Sequence, residues 1–475
     1  MTSNSKFLCS DCVSDGYLRK LIKREGARSS CSYCGQSRNS FPVSRVAELI
    51  HQAFGQYLEK TPQDPEGYEA AMHFDKESDY SWSRGGDPVQ EIISDAVGVS
   101  SEIAEDVQDS LVSKYWDYDD QLSGVESDYG DEARYIYQDP GFGRWQSVWD
   151  EFVRSLKFEA RLFSTKGVEQ LSAILGGIER LDTPSGRSVL VEIGPGSPIK
   201  KLFRARVFQS DAALKAALAK PDEELGPPPS HAASAGRMNA RGVSVFYGAT
   251  SRKTALGEVR PPVGSLVAIA RFDIVRKLRV LDFSAFEGLT PNVSLFDPAY
   301  SETVTRALFL RSLGKRLASA VMPDEQHFDY LPTQAVADFL ATGRLLPLDG
   351  VMFSSVQAGG KGLNVVLFHN ASRVRKLKVS ENTEVKVTTV RELDEGYYRS
   401  YGVEWLACEG EEATGETRDV CQPKRPPSPR DERKPSLRIN MAHIEIRDID
   451  RARYKTTKFS VRHKGVTKKG KLREK

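Results

Sequence analysis

Long hydrophobic runs are missing from this 475-residue chain. Its longest apolar stretches, such as Val365–Phe368 and Leu266–Ala270, fall far short of the roughly 20 residues that a membrane-crossing helix needs. Asp11 and the nearby cysteines interrupt the only apolar patch at the N-terminus, so no signal peptide is expected and a cytoplasmic location is the default. Histidine is scarce, with 7 copies, and no suitable histidine pairing suggests a base–nucleophile dyad. No internal repeat is visible, which removes solenoids and propellers from consideration. Net charge is small as well, at +2, but that sum hides two opposed blocks. Between Ser101 and Arg134 acids dominate, with Lys114 and Arg134 the only bases, whereas the stretch from Arg451 to Lys475 is strongly basic. Such a tail suits nucleic acid or an acidic partner, or is simply solvated.

What is present starts with enough apolar residues, 39%, for globular packing. At this length two or three domains are expected. Four of the 6 cysteines form the pairs Cys9-Ser-Asp-Cys12 and Cys31-Ser-Tyr-Cys34. A two-residue spacer lets both thiolates of a pair face one tetrahedral ion, so a structural zinc held by Cys9, Cys12, Cys31 and Cys34 is expected. Four sulfur ligands leave no open position, so that zinc would stabilise and not catalyse. Cys408 and Cys421 sit in a polar stretch without comparable partners.

Periodicity divides the remainder. Val43–Tyr57 carries Val46, Leu49, Ile50 and Phe54 on one stripe, and helical patterns recur up to Leu181. From Ser188 onward short strands and helices mix: Phe203–Phe208, Leu266–Ile274, Leu278–Phe283 and two strands within Gly350–Phe368 read as β, with Asp211–Ala219 and Ser301–Val321 as helices. Separated strands and helices of this kind predict α+β. The expected division is a zinc ribbon at 1–40, a helical domain at 41–185, an α+β domain at 186–395, a disordered linker at 396–440 and a basic tail at 441–475. In the middle of the α+β region, Gly236 to Glu258 predicts a compact turn–strand–helix unit. Val243, Val245 and Tyr247 alternate with Ser244 and Phe246, and Thr250 or Ser251 is placed to cap a helix ending at Glu258.

Several blocks in this region, taken in order, resemble the RES domain, a family of NAD-consuming toxins. They are Phe203-Arg204, Gly236-Arg-Met-Asn239, Val245-Phe-Tyr247 with Ala255-Leu-Gly-Glu258, Asp329-Tyr-Leu-Pro-Thr-Gln334, and Asp349-Gly-Val-Met-Phe-Ser-Ser355 followed by Gly362-Leu-Asn-Val-Val-Leu-Phe368. Met238 stands where the family usually has an aromatic, and Phe353-Ser354 where it has Tyr-Pro. The resemblance implies a fold similar to ADP-ribosyltransferases and cleavage of the nicotinamide–ribose bond of NAD, by a glycohydrolase or phosphorylase reaction in a toxin or defence effector. Glu258 would stabilise the oxocarbenium-like centre. Arg204, with Arg237 as a second contact, would hold the pyrophosphate. Tyr247 would stack on nicotinamide, and Ser355 would orient a ribose or Glu258. Strand parity puts Arg204 and Arg206 on one face and does not separate them; only the neighbouring aromatic favours Arg204. An antitoxin partner is a further expectation.

The helical region similarly resembles the HEPN-type domain that precedes some RES domains, through Trp149-Asp-Glu-Phe152 and Lys157-Phe-Glu-Ala-Arg161-Leu-Phe163. Arg45 and His51 meet the loose spacing of a HEPN ribonuclease motif, yet Val46 replaces its usual polar residue, and the pair reads as coincidence on an amphipathic helix. Two other functions compete with NAD degradation: transfer of ADP-ribose to a protein or nucleic acid, and nucleic-acid binding through ribbon and tail with an inactive catalytic domain.

Overall fold

A computed structural model describes residues 5–75, 79–116, 124–159, 164–181, 183, 186–291, 293–319, 326–357, 362–379, 383–393, 396–407, 431–452, 456–461, 465–466 and 472–473. Ala160–Phe163, Cys408, Cys421 and most of the basic tail beyond 461, all singled out in the sequence, lie outside them. The chain forms two compact units, one of Met1–Val189 with Ser284–Leu317 and the other of Leu190–Phe283 with Ala318–Lys475.

The first unit is mainly helical. Helix Val43–Tyr57 forms where the stripe predicts it and buries Val46, Ile50 and Phe54. Those side chains share one apolar cluster with Leu8, Val13, Leu18 and Ile22 from the cysteine segment and with Ile93, Val107 and Leu111 from helices Val89–Val97 and Ser101–Tyr115. The acidic stretch is stitched in by ion pairs. Lys6 bonds Asp106 at 2.6 Å, and Arg84 bonds Glu126 at 2.6 Å. No helix among the described residues is long and apolar enough to cross a membrane.

The second unit is built on an 8-stranded mixed sheet, in the order Leu437–Asp448, Leu266–Ile274, Lys201–Phe208, Phe246–Ala249, Leu363–Leu367, Gly350–Ser354, Leu278–Asp282, Leu190–Ile193. One neighbouring pair, Leu278–Asp282 with Gly350–Ser354, is parallel; the others are antiparallel. Central strands such as Leu266–Ile274 are buried on both faces, which accounts for their unbroken apolar runs. Two strands occupy stretches read as linker and tail: Gly396–Ala407 pairs with Thr383–Leu393, and Leu437–Asp448 is an edge of the large sheet. Leu437 and Ile439 are buried there, so their burial against the sheet outweighs the polar composition around them.

The sheet has one weak seam. Strands Lys201–Phe208 and Phe246–Ala249 are paired in register only at Phe203 and Ala249. The strand at 246 is also shorter than expected, because Val243–Val245 lie outside the ladder. Two of their three backbone carbonyls meet side chains instead: Val243 O accepts from Asn239 Nδ2 at 3.0 Å, and Ser244 O lies 3.0 Å from His369 Nδ1. Val245 and Phe246 are both buried, so the alternation read from the sequence is not realised.

Candidate active site

Where those two strands part, a cleft of about 420 Å³ opens, lined by Phe203, Arg204 and Ala205 on one side and Tyr247, Gly248 and Ala249 on the other. Arg204 bridges the gap that the ladder leaves, its Nη1 donating to Tyr247 O at 2.8 Å. Its guanidinium lies 5.6 Å from the Phe246 ring centroid, and its Nε is buried without a hydrogen-bond partner. No carboxylate pairs with it among the described residues. Burial lowers its pKa to about 10, with Arg206 adding to the effect, so the group remains a cation at neutral pH. A partly buried cation with an orphaned donor is costly unless an anion arrives. Arg206, its partner in parity, turns away to the Glu224 backbone carbonyl and carboxylate. Structure thus separates two arginines that periodicity could not.

The helix carrying Glu258 starts where expected. Ser251 is its N-cap, with Oγ accepting from Thr254 N at 3.1 Å, and the helix runs Arg252–Glu258. Ala255 packs with Phe203 and Ala249, which draws the end of the helix to the cleft. There one oxygen of the Glu258 carboxylate, Oε1, accepts from Ser355 Oγ at 2.6 Å and from Asn364 Nδ2 at 2.8 Å. Ser355 is completely buried and Asn364 nearly so, whereas Glu258 itself is exposed. Two donors on one oxygen fix the orientation of the carboxylate and leave Oε2 without a hydrogen bond to any described residue. Asn364 was not anticipated from the sequence. It sits one strand away from Ala249 and opposite Phe353 in register, a neighbourhood that only the sheet creates.

Tyr247 is held by the preceding turn. Its hydroxyl accepts from Met238 N at 2.9 Å and donates to Asn239 Oδ1 at 2.8 Å. Asn239 in turn donates to Ser234 O at 2.9 Å. Burial raises the phenol pKa well above its usual range. With the hydroxyl committed inside the fold, what Tyr247 offers the cleft is its ring. Gly236 must lack a side chain here, since a Cβ would stand 2.6 Å from both Tyr247 Oη and Asn239 Oδ1. The same turn is anchored from helix Gln326–Ala341: Thr333 Oγ1 donates to Arg237 O at 2.6 Å and Gln334 Nε2 to Gly236 O at 2.9 Å. Arg237 lines the cleft with its guanidinium 5.7 Å from the Phe353 ring. Tyr330 and Arg260, also unanticipated, complete the lining.

All five candidate residues of this region therefore converge: Arg204, Arg237, Tyr247 and Glu258 on the cleft wall and Ser355 behind Glu258. The family model described as RES domain matches residues 202–388. The chain carries a RES domain. No curated protein matches the chain. The RES domain region contains every residue of the cleft, and a RES domain is consistent with NAD-related activity in general.

A second constellation lies in the other unit. Cys9 ends strand Phe7–Cys9, Cys31 follows strand Ala27–Ser30, and tight turns carry Cys12 and Cys34 back toward them. The Sγ separations are 3.6 Å for Cys9–Cys12, 3.6 Å for Cys9–Cys34 and 3.8 Å for Cys12–Cys31, and all four sulfurs lie within 4.8 Å of one another. A regular tetrahedron of thiolates at ~2.3 Å from zinc has edges of about 3.8 Å. The cysteines could hold a metal ion. Arg45 and His51, by contrast, do not converge: Arg45 bonds Glu48 at 2.8 Å, while His51 stacks on Tyr115 and lies 2.7 Å from Tyr129 Oη.

Proposed function

We propose that the RES domain cleaves the nicotinamide–ribose bond of NAD, as a glycohydrolase or phosphorylase, on a fold similar to ADP-ribosyltransferases. The observation that carries this reading is the Glu258 carboxylate, clamped through one oxygen in a cleft also lined by Arg204, which has no carboxylate partner among the described residues.

NAD presents an anionic diphosphate and a scissile bond whose rupture leaves positive charge on ribose. Arg204 and Arg237 supply guanidinium forks for phosphate oxygens, and the Tyr247 ring supplies a stacking face for nicotinamide. As the C–N bond breaks, its electron pair leaves with the nicotinamide nitrogen, which becomes neutral, and C1 of the ribose takes on oxocarbenium character. Glu258, already oriented by Ser355 and Asn364, stabilises that charge or holds a ribose hydroxyl without reorganising. Water or phosphate then bonds to C1 through oxygen and releases a proton. Ser355 acts on this reading through Glu258 and makes no contact with substrate.

The proposal extends to a structural zinc at Cys9, Cys12, Cys31 and Cys34, and to a toxin or defence role restrained by a protein partner. The test is to incubate the purified chain with NAD and follow free nicotinamide. Release together with ADP-ribose or its phosphate ester supports the reading. Label retained on a macromolecule would replace it with ADP-ribose transfer, and salt-sensitive nucleic-acid binding without turnover would favour a binding module. Nicotinamide release that survives Glu258→Gln unchanged overturns the assignment.

A further inference from the structure

Arg260 lies two residues beyond Glu258, past the end of helix Arg252–Glu258, and lines the same cleft. Among the described residues it alone, apart from glycines, has a positive φ, at 42°. That region is disfavoured for any residue with a Cβ, and glycine would enter it freely. Strain held at a cleft residue calls for a use of the side chain. The backbone is kept in place by Arg260 N donating to Gly257 O at 3.3 Å. The guanidinium lies against the Gln357 carboxamide: with that amide flipped end for end, which puts its oxygen toward the donors, the oxygen accepts from Nη2 at 2.5 Å and from Nε at 3.2 Å.

The charges of the cleft explain what such a side chain would meet. Its lining contains a single acid, Glu258, beside Arg204, Arg237 and Arg260. Neither Arg204 nor Arg260 has a carboxylate partner among the described residues. Arg204 is enclosed and tied to Tyr247 O, whereas Arg260 is exposed at the solvent side. A neutral or cationic ligand would leave these charges unmatched, while a diphosphate brings two negative charges and paired oxygens suited to two forks.

We infer that Arg260 is a positioning residue for the substrate diphosphate, gripping it from the open side of the cleft while Arg204 holds it from within. This inference rests on the NAD reading. Arg260 would make the site prefer ligands carrying a diphosphate over the bare nicotinamide nucleoside.

The test compares Arg260→Gly and Arg260→Lys with the parent chain, measuring KM for NAD and inhibition constants for ADP-ribose, which keeps the diphosphate, and for nicotinamide riboside, which has no phosphate. Arg260→Gly is expected to raise KM for NAD and Ki for ADP-ribose about ten- to hundredfold, the scale of losing a charge-assisted hydrogen bond, and to change kcat far less. Binding of nicotinamide riboside is expected to stay within about twofold. Melting temperature should hold or rise, because glycine relieves the positive φ. Arg260→Lys, which keeps charge and strain but loses the fork, should fall between the two. Equal weakening toward all three ligands, or no weakening toward ADP-ribose, overturns the inference. If the parent chain releases no nicotinamide, the functional proposal fails by itself. The Arg260 inference is then decided by direct ADP-ribose binding, standing if Arg260→Gly weakens it and falling if it does not.

Discussion

Replacing Ser355 with alanine should expose how the Glu258 carboxylate is held. Ser355 Oγ is 2.6 Å from Glu258 Oε1 and completely buried, and Asn364 Nδ2 donates to the same oxygen from 2.8 Å. A hydrogen bond to a charged acceptor contributes about 1.5–3 kcal/mol. At ~1.4 kcal/mol per decade of rate, its loss predicts a fall in kcat/KM of roughly 10- to 100-fold. Asn364 still anchors the oxygen in that variant, so the carboxylate loosens and is not lost. Glu258→Gln, which removes the charge itself, should cost more, on the order of 10³-fold or above. The decisive comparison is the double variant. Because Ser355 works through Glu258, Ser355→Ala in the Glu258→Gln background should add almost nothing. Initial rates of nicotinamide release on all four proteins, with melting temperatures alongside, measure this. Multiplying effects in the double variant would show that Ser355 acts independently, and a neutral Ser355→Ala would show that the bond is irrelevant to catalysis.

Gly236→Ala places a Cβ 2.6 Å from Tyr247 Oη and Asn239 Oδ1, so the tyrosine ring must shift; KM for NAD should rise at least several-fold while circular dichroism keeps its native shape, and unchanged KM would refute the tyrosine's placement. In the helical unit, hydrogen bonding from Arg84, helped by Lys60, holds the Glu126 carboxyl at about 2 instead of 4.5. A lowered carboxyl pKa stabilises the fold above the unfolded value and loses that contribution as pH falls from 4.5 toward 2, about 3 kcal/mol in all. Acid titration monitored by circular dichroism should show this loss in the parent chain and flatten it in Glu126→Gln. Metal analysis of the purified chain should find one zinc per chain, and a strong chelator or Cys9→Ser should lower the melting temperature of the helical unit; a metal-free chain of equal stability would refute the zinc site.

Much of the local structure was legible in the residues themselves. The stripe of Val46, Ile50 and Phe54 specifies a helix because burial of one face repeats every 3.6 residues, and Ser251 announces a helix start because its side chain can satisfy a free backbone N–H. The spacing of Cys9, Cys12, Cys31 and Cys34 is likewise a local matter of what two short turns can bring together. Glu258, Arg204 and Ser355 were nameable through their order along the chain. Their chemistry was not, since it depends on contacts between residues 43 and 97 positions apart.

Those contacts belong to the tertiary structure. Only the sheet order sets Asn364 beside Glu258, and only the parting of two strands after the Phe203–Ala249 pair makes a cleft and sends Arg204 across it. Arg206 obeys the same strand alternation and still ends at Glu224, because alternation assigns a face and says nothing about what stands opposite. Helices, caps and the cysteine turns follow from neighbouring residues, because their energetics are settled within a few positions. Which carboxylate is clamped, which arginine has no carboxylate partner among the described residues, and where the sheet opens were decided by long-range pairing, where the free energy depends on groups that no local pattern records.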